Sequence, residues 1–310
     1  MIEILKKTKI DFMGKRYYAF AISGILSLIG IIAIFQIARG TANLGIDFSG
    51  GTAIQIRFEK PFTLHEVRDT LESGGLKDFD LQDIPVEKKI LIRVKKRGDS
   101  SSEPGPGSGS EKIISILSKR FSDQKLSVDS TTEIGPKVGV RLRKDAMWAI
   151  LAATSGLLIY IAWRFQFRFS IGATIATLHD VLAVLGLFYI MNREINLIVV
   201  SALLAIAGYS LTDTVVVFDR IRENLKTRIK EPVEAVINQS INEVLSRTII
   251  TSFTTLLSAI ALFFFGGEVI HDFSLAMIIG ITTGTYSSIF VASPLIMIWK
   301  GKKGKGYLRK

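Results

Sequence analysis

The chain has 310 residues, 48% of them hydrophobic, and a formal net charge of +11. It contains no cysteine, which excludes disulfides, zinc–thiolate sites and cysteine nucleophiles. The basic excess does not point to nucleic acid: residues 44–139 hold 15 basic and 15 acidic side chains, so the whole excess lies in and around apolar segments.

Six apolar runs, around 18–38, 145–163, 170–191, 196–218, 248–265 and 273–299, each approach the roughly 20 residues a helix needs to cross a bilayer. They lack the alternation of barrel strands, so they predict six transmembrane helices. The first run exceeds the about 7–15 residues of a signal-peptide core and reads as an uncleaved anchor at 18–38, after an N-terminal stretch 1–17. Lys6, Lys7, Lys9, Lys15 and Arg16 precede it, and Arg164 and Arg168 separate spans two and three. Arg220, Arg222, Lys226, Arg228 and Lys230 follow span four, and a basic tail occupies 300–310. The opposite loops, "NREIN" and "GGEVIHD", hold only Arg193. This positive-inside pattern predicts both termini in the cytoplasm and 39–144 outside, in a multi-pass membrane protein.

Within 39–144, "GTAIQIRFE" (51–59) alternates as a strand does. "TLHEVRDTLESGG" (63–75) places Leu64, Val67 and Leu71 at helical spacing and ends on glycines. "FDLQDI" and "KKILIRVKK" read as strands, "EKIISILSKRF" (111–121) as a second helix and "LSVDSTTEI" as a last strand. The order βαββαβ predicts a ferredoxin-like α+β domain. "GDSSSEPGPGSGS" inside it reads as a loop by composition. "FSGG" (48–51) enters a strand rather than a helix, which argues against a phosphate cradle.

Span three carries "TLHDVLAV". Asp180 lies about ten residues in, about 15 Å along the helix and near the midplane. It fits either a proton-carrying role or a buried helix–helix hydrogen bond. His179 points about 100° away and reads as structural. Span four carries Asp213, a carboxylate that costs about 2.5–3.5 kcal/mol near a helix centre and so must face protein or water. Thr212 and Thr214 flank it, and Asp219 only opens the charged run that follows. "EPVEAVINQSINEVLSR" (231–247) starts on Pro232 and reads as an amphipathic helix along the inner surface, linking spans four and five, or, with little difference in geometry, as a connecting helix packed on the spans.

In span five, Arg247, Thr251, Thr254, Thr255 and Ser258 share about a third of the helix circumference. Such a stripe faces a partner helix or a wet crevice rather than lipid. Arg247 lies at a depth similar to Asp213, which allows the two to pair, although it also fits a snorkelling interfacial arginine. Asp213, Arg247, Thr212, Thr251 and, with less support, Asp180 form the candidate proton pathway. In span six, Gly280 and Gly284 form a small-xxx-small packing face, Thr282, Thr283, Thr285, Ser287 and Ser288 add hydrogen-bonding capacity, and Pro294 predicts a kink. No P-loop, dinucleotide fingerprint, metal cluster or nucleophile triad is legible, so neither an enzyme nor a metal site is expected.

"LGIDFSGGT" (44–52), "GYSLTDTVVVFDRIREN" (208–224), "SRTIITSFTTL" (246–256) and "GTYSSIFVASP" (284–294) resemble the SecF members of the SecD/SecF family of bacterial protein-export membrane proteins. The resemblance runs from the anchor to the basic tail. It implies one half of a resistance-nodulation-division type transporter, with SecD as the other half, in the bacterial inner membrane. It further implies assistance to the SecYEG translocon, with YajC and YidC as further partners, and an unfolded exported polypeptide as substrate. It implies no cofactor, with protons as the coupling ion, and no nucleic acid. Asp213 matches the family's membrane aspartate, Arg247 its arginine on the next span, and Asp180 part of an "LHD" motif. Thr212 departs from the Asn expected beside the aspartate. Two other readings remain open: a proton-driven small-molecule or lipid exporter of the same superfamily, and a translocon scaffold that conducts nothing. "DFSGG" favours export of proteins over the first.

Overall fold

A computed structural model describes residues 8–76, 79–84, 89–95, 108–164 and 167–298. Much of the Gly/Pro/Ser loop and the basic tail 300–310 lie outside the described residues. The chain divides into two compact units, one of Met1–Asn43, Trp148–Glu194 and Ile198–Lys310, the other of Leu44–Met147 and Ile195–Leu197.

The smaller unit is the α+β domain. It contains a short helix α2 (Ile46–Ser49), strand β1 (Gly51–Phe58), α3 (Leu64–Ser73), β2 (Phe79–Ile84), β3 (Lys89–Lys95), α4 (Ser108–Arg120) and β4 (Leu126–Ile134). The strands form one antiparallel sheet in the order β2-β3-β1-β4. Alternation along β1 and β3 turns Ile54, Ile56, Phe58, Ile90 and Ile92 to one face, against Val67 and Leu71 of α3 and Ile113 and Leu117 of α4. Thr63 and Glu66 close a reciprocal capping box at the start of α3. On the opposite face, the Asp129 carboxylate meets Lys89 Nζ at 2.7 Å and Arg57 Nη2 at 2.9 Å, which holds it below the usual carboxylate range. Gly50 and Gly51 enter β1 at φ 74° and 147°, where a side chain would be strained. Just before them, Asp47 Oδ2 accepts from the backbone N–H of Leu197 at 3.0 Å, and Leu44 bridges Ile195 in parallel.

The larger unit is helical. Its elements are α1 (Arg16–Arg39), α5 (Pro136–Arg164), α6 (Phe167–Ile190), α7 (Leu197–Thr227), α8 (Val233–Phe265), α9 (Gly267–Ser287), a π turn (Ser288–Ala292) and α10 (Ser293–Ile298); α5 and α7 begin in the smaller unit. Six helical stretches among the described residues are long and apolar enough to cross a membrane, as expected. The most apolar windows of α6, α7 and α9 are 67%, 56% and 56% buried, against 17%, 11% and 17% for α1, α5 and α8, so the first three form the centre.

Two details depart from expectation. The helix expected at 231–247 as a separate surface element begins at Val233 and runs unbroken into span five. No Pro or Gly interrupts residues 233–265, so nothing ends it. Its apolar face is covered by protein: Ile237, Ile241 and Leu245 share a core with Phe12, Met13, Phe218 and Ile221. Asn242 Oδ1 accepts from Ile10 N at 2.9 Å, its Nδ2 donates to Ile10 O at 2.9 Å, and Asn238 Oδ1 accepts from Phe12 N at 2.8 Å. The irregularity expected at Pro294 takes the form of the π turn just before it. The proline ring displaces the carbonyl four residues back, and the widened turn accommodates it. Ser293 Oγ donates to Ser288 O at 2.8 Å across that turn.

Candidate functional site

Several buried polar groups of the helical unit, among them Asp180, Ser210, Asp213, Ser287 and Ser288, converge where α6, α7 and α9 meet. Close approach of α7 and α9 makes this possible. A Cβ on Gly280 would come within 2.4 Å of Ile206, and one on Gly284 within 3.2 Å of Ser210 Cβ. The small-xxx-small face of α9 therefore packs on Ile206 and Ser210, one turn apart on α7.

Asp180, on α6, is fully buried at 0% exposure. Its Oδ1 meets His179 Nδ1 at 3.0 Å. Its Oδ2 accepts from Ser287 Oγ at 2.8 Å and, more closely, from Ser210 Oγ. His179 is itself buried, and its Nε2 has no hydrogen-bond partner. Asp213, on α7, is 8% exposed and accepts from Ser288 Oγ at 2.7 Å. The buried Thr248 hydroxyl of α8 lies close to that carboxylate without hydrogen-bond geometry. Asp180 and the Arg247 guanidinium are near enough to act on Asp213 electrostatically. Arg247 is exposed and acts on Asp213 at a distance, without a hydrogen bond between them. Asp180 thus has three hydroxyl or imidazole neighbours and no exposure, whereas Asp213 has a single serine donor and 8% exposure.

The remaining expected pathway residues stand apart. Thr212 is exposed and donates to Gly208 O at 3.0 Å, and Thr251 is exposed and donates to Arg247 O at 3.0 Å. Thr254, Thr255 and Ser258 likewise donate to carbonyls of their own helix. The stripe from Arg247 to Ser258 thus turns largely away from the other helices of this chain. The side of α8 that faces inward carries Ser252, whose Oγ accepts from Thr285 Oγ1 at 2.7 Å and meets Tyr209 OH at 3.4 Å. Reading the sequence residue by residue missed Ser210 and Ser252. Their signal was spacing: Ser210 lies three residues before Asp213, on the α7 face that meets α6. No group of three or more His, Asp or Glu among the described residues is placed to hold a metal.

Comparison with known proteins gives a consistent picture. A family model for the protein export membrane protein SecD/SecF C-terminal region matches residues 114–302, and one for the SecD/SecF GG motif matches 42–62. The protein translocase subunit SecF of Thermodesulfovibrio yellowstonii is 60% identical over 300 residues, covering 96% of this chain and 97% of that protein. The corresponding subunit of Vibrio alginolyticus is 41% identical over 300 residues, covering 96% and 92%. The crystal structure of SecDF, a translocon-associated membrane protein from Thermus thermophilus, matches with a TM-score of 0.80 and 36% identity over 94% of this chain. SecDF in its super-membrane-facing form matches with a TM-score of 0.69 and 35% identity. The chain spans 39% of the length of each of these SecDF chains.

Proposed function

Because the chain belongs to the SecD/SecF family of protein-export membrane proteins, among its SecF subunits, we propose that it uses the proton motive force to promote late steps of protein export across the bacterial inner membrane. The observation that carries this reading is Asp213: a carboxylate within the apolar part of α7, 8% exposed, held by one serine, with Arg247 near but not paired to it. Charged Asp213 holds Ser288 and attracts Arg247. A proton on Asp213 weakens both interactions and biases the helices toward a second arrangement. Each proton moving inward releases about 2.3 kcal/mol per 100 mV, enough to shift a two-state equilibrium roughly fortyfold. Asp180 serves as a second carboxylate along the same path, and protons are the only coupling ion.

SecD is the proposed partner and supplies the other half of the transporter. Support comes from the match to less than half of SecDF and from the exposed polar stripe on α8. SecYEG, with YajC and YidC, is the proposed larger assembly, and an unfolded polypeptide the substrate. The excess of basic residues on one side of the spans supports cytoplasmic termini and a periplasmic α+β domain.

The test is Asp213→Asn in inverted membrane vesicles carrying the translocon and SecD, with completion of preprotein translocation followed with and without a proton gradient. The expected outcome is loss of the gradient-dependent part alone, with assembly intact. Gradient-driven export that survives the substitution rejects the motor reading and leaves a scaffold.

A further inference from the structure

Residues 285–288, at the entry to the π turn, make an unusual set of contacts. Thr285 Oγ1 donates to Ser252 Oγ on α8 at 2.7 Å. Tyr286 OH donates to Ala19 O on α1 at 2.8 Å and accepts from Ser23 Oγ at 3.2 Å. Ser287 Oγ donates to Asp180 on α6 at 2.8 Å, and Ser288 Oγ to Asp213 on α7 at 2.7 Å. Four successive side chains therefore reach four different helices. At 100° per residue, four positions sweep nearly the whole circumference, which suits a helix surrounded by the others.

The two serines each have a second acceptor. Ser287 Oγ lies 3.2 Å from Gly284 O, and Ser288 Oγ lies 3.1 Å from Thr285 O, both on the serine's own helix. A hydroxyl has one proton to donate. It ties α9 to a neighbouring helix when it donates to the carboxylate, and releases α9 when it donates to its own carbonyl. The charge on the carboxylate decides which, because a charge-assisted hydrogen bond is roughly twice as strong as a neutral one. The π turn that follows is a widened, less favourable geometry often found at functional sites.

We propose that Ser287 and Ser288 are positioning residues that convert proton uptake at Asp180 and Asp213 into release of α9 from α6 and α7. The inference rests on the proton-driven reading above. A proton arriving on an Asp213 oxygen neutralises the carboxylate; the Ser288 hydroxyl turns to Thr285 O, and the tie to α7 is lost until the proton leaves. Ser287 does the same at Asp180, while Ser210 keeps α6 and α7 joined there. The titratable and charged groups around this segment among the described residues are His179 and Asp180 from α6, Asp213 and Tyr209 from α7 and Tyr286 on α9 itself, with the exposed Arg247 of α8 acting on Asp213 electrostatically; α1 contributes Ala19 and Ser23.

The test uses the chain assembled with SecD, with two readouts: hydrogen exchange of the 284–293 amides as a function of pH, and gradient-dependent preprotein translocation in inverted vesicles. In the wild-type complex, protection of this segment, taken relative to the intrinsic exchange rate at each pH, falls on acidification. Ser288→Ala and the nearly isosteric Ser288→Cys, whose thiol is a weak donor, abolish that pH response and cut gradient-dependent translocation about tenfold. Ser288→Thr, which keeps the hydroxyl, retains both. A purely structural serine gives the opposite ranking: Ser288→Cys resembles the wild type, and Ser288→Ala loosens the segment equally at every pH. That ranking, or a wild-type segment indifferent to pH, overturns the proposal. Asp213→Asn separates the levels. If it abolishes gradient-driven export while the serine variants keep a normal pH response, the serine role fails and the proton reading survives. If gradient-driven export survives it, both fail.

Discussion

Asp180 and Asp213 are both aspartates in apolar helices, yet they meet different surroundings. Asp180 has no exposure and three donors, from His179, Ser210 and Ser287. Removing its charge leaves those donors mismatched in a buried site, at about 1–3 kcal/mol for each unsatisfied group. Asp180→Asn is therefore expected to lower the melting temperature of the detergent-solubilised protein. Asp213→Asn, which disturbs one serine, should melt close to the wild type; equal losses would place both residues in the same structural role. Outside the membrane segments, Lys89 and then Arg57 hold the Asp129 carboxylate below its usual range. The sign follows directly: the stabilisation is fully present above the unfolded carboxylate value of about 4 and disappears as pH falls through the lowered one. Acid-side melting curves of Asp129→Asn should be flatter below pH about 4 than those of the wild type.

At the scale of elements, helix contacts in the bundle depend on what glycine leaves out. A Cβ at Gly280 would overlap Ile206 of α7, so Gly280→Val forces α9 away. Overpacking of this kind costs about 1–3 kcal/mol, and a lower melting temperature with slower gradient-driven export is expected. An unchanged melt would mean that α9 is not held as described. The length of α8 has a related lesson. Periodicity alone marks Val236, Ile237, Ile241 and Leu245 as an apolar face, but an apolar face fits a membrane surface or a protein core equally well. Phe12, Met13 and Phe218 supply the core, and Asn238 and Asn242 fasten residues 10–12 beside it.

For the molecule as a whole, the stripe on α8 is the most informative surface. Arg247, Thr251, Thr254 and Ser258 are exposed, and the hydroxyls of the last three donate to carbonyls of their own helix. Within the SecDF reading, a second half of the transporter lies against this face. Thr251→Leu with Thr254→Leu touches no other element of this chain and should leave its own melting unchanged. Gradient-driven export and co-purification of SecD should both fall; normal values for both would mean that the stripe faces only lipid.

The number of spans, the βαββαβ order and the placement of charge were legible in the sequence, because each is a local or one-dimensional property. Hydropathy is a sum along a segment, alternation has a period of two, and charge asymmetry needs only a count. Asp213 and Asp180 stood out for the same reason, since a carboxylate in an apolar run is costly wherever the run goes. What holds them depended on tertiary structure. Ser210, Ser287 and Ser288 are ordinary in a membrane helix until α6, α7 and α9 bring them within 3 Å of a carboxylate. Thr212 and Thr251, polar and adjacent in sequence to the right residues, turn to their own helix carbonyls instead. A hydroxyl can always be satisfied by its own helix. Only the approach of a neighbouring helix decides whether it does anything else.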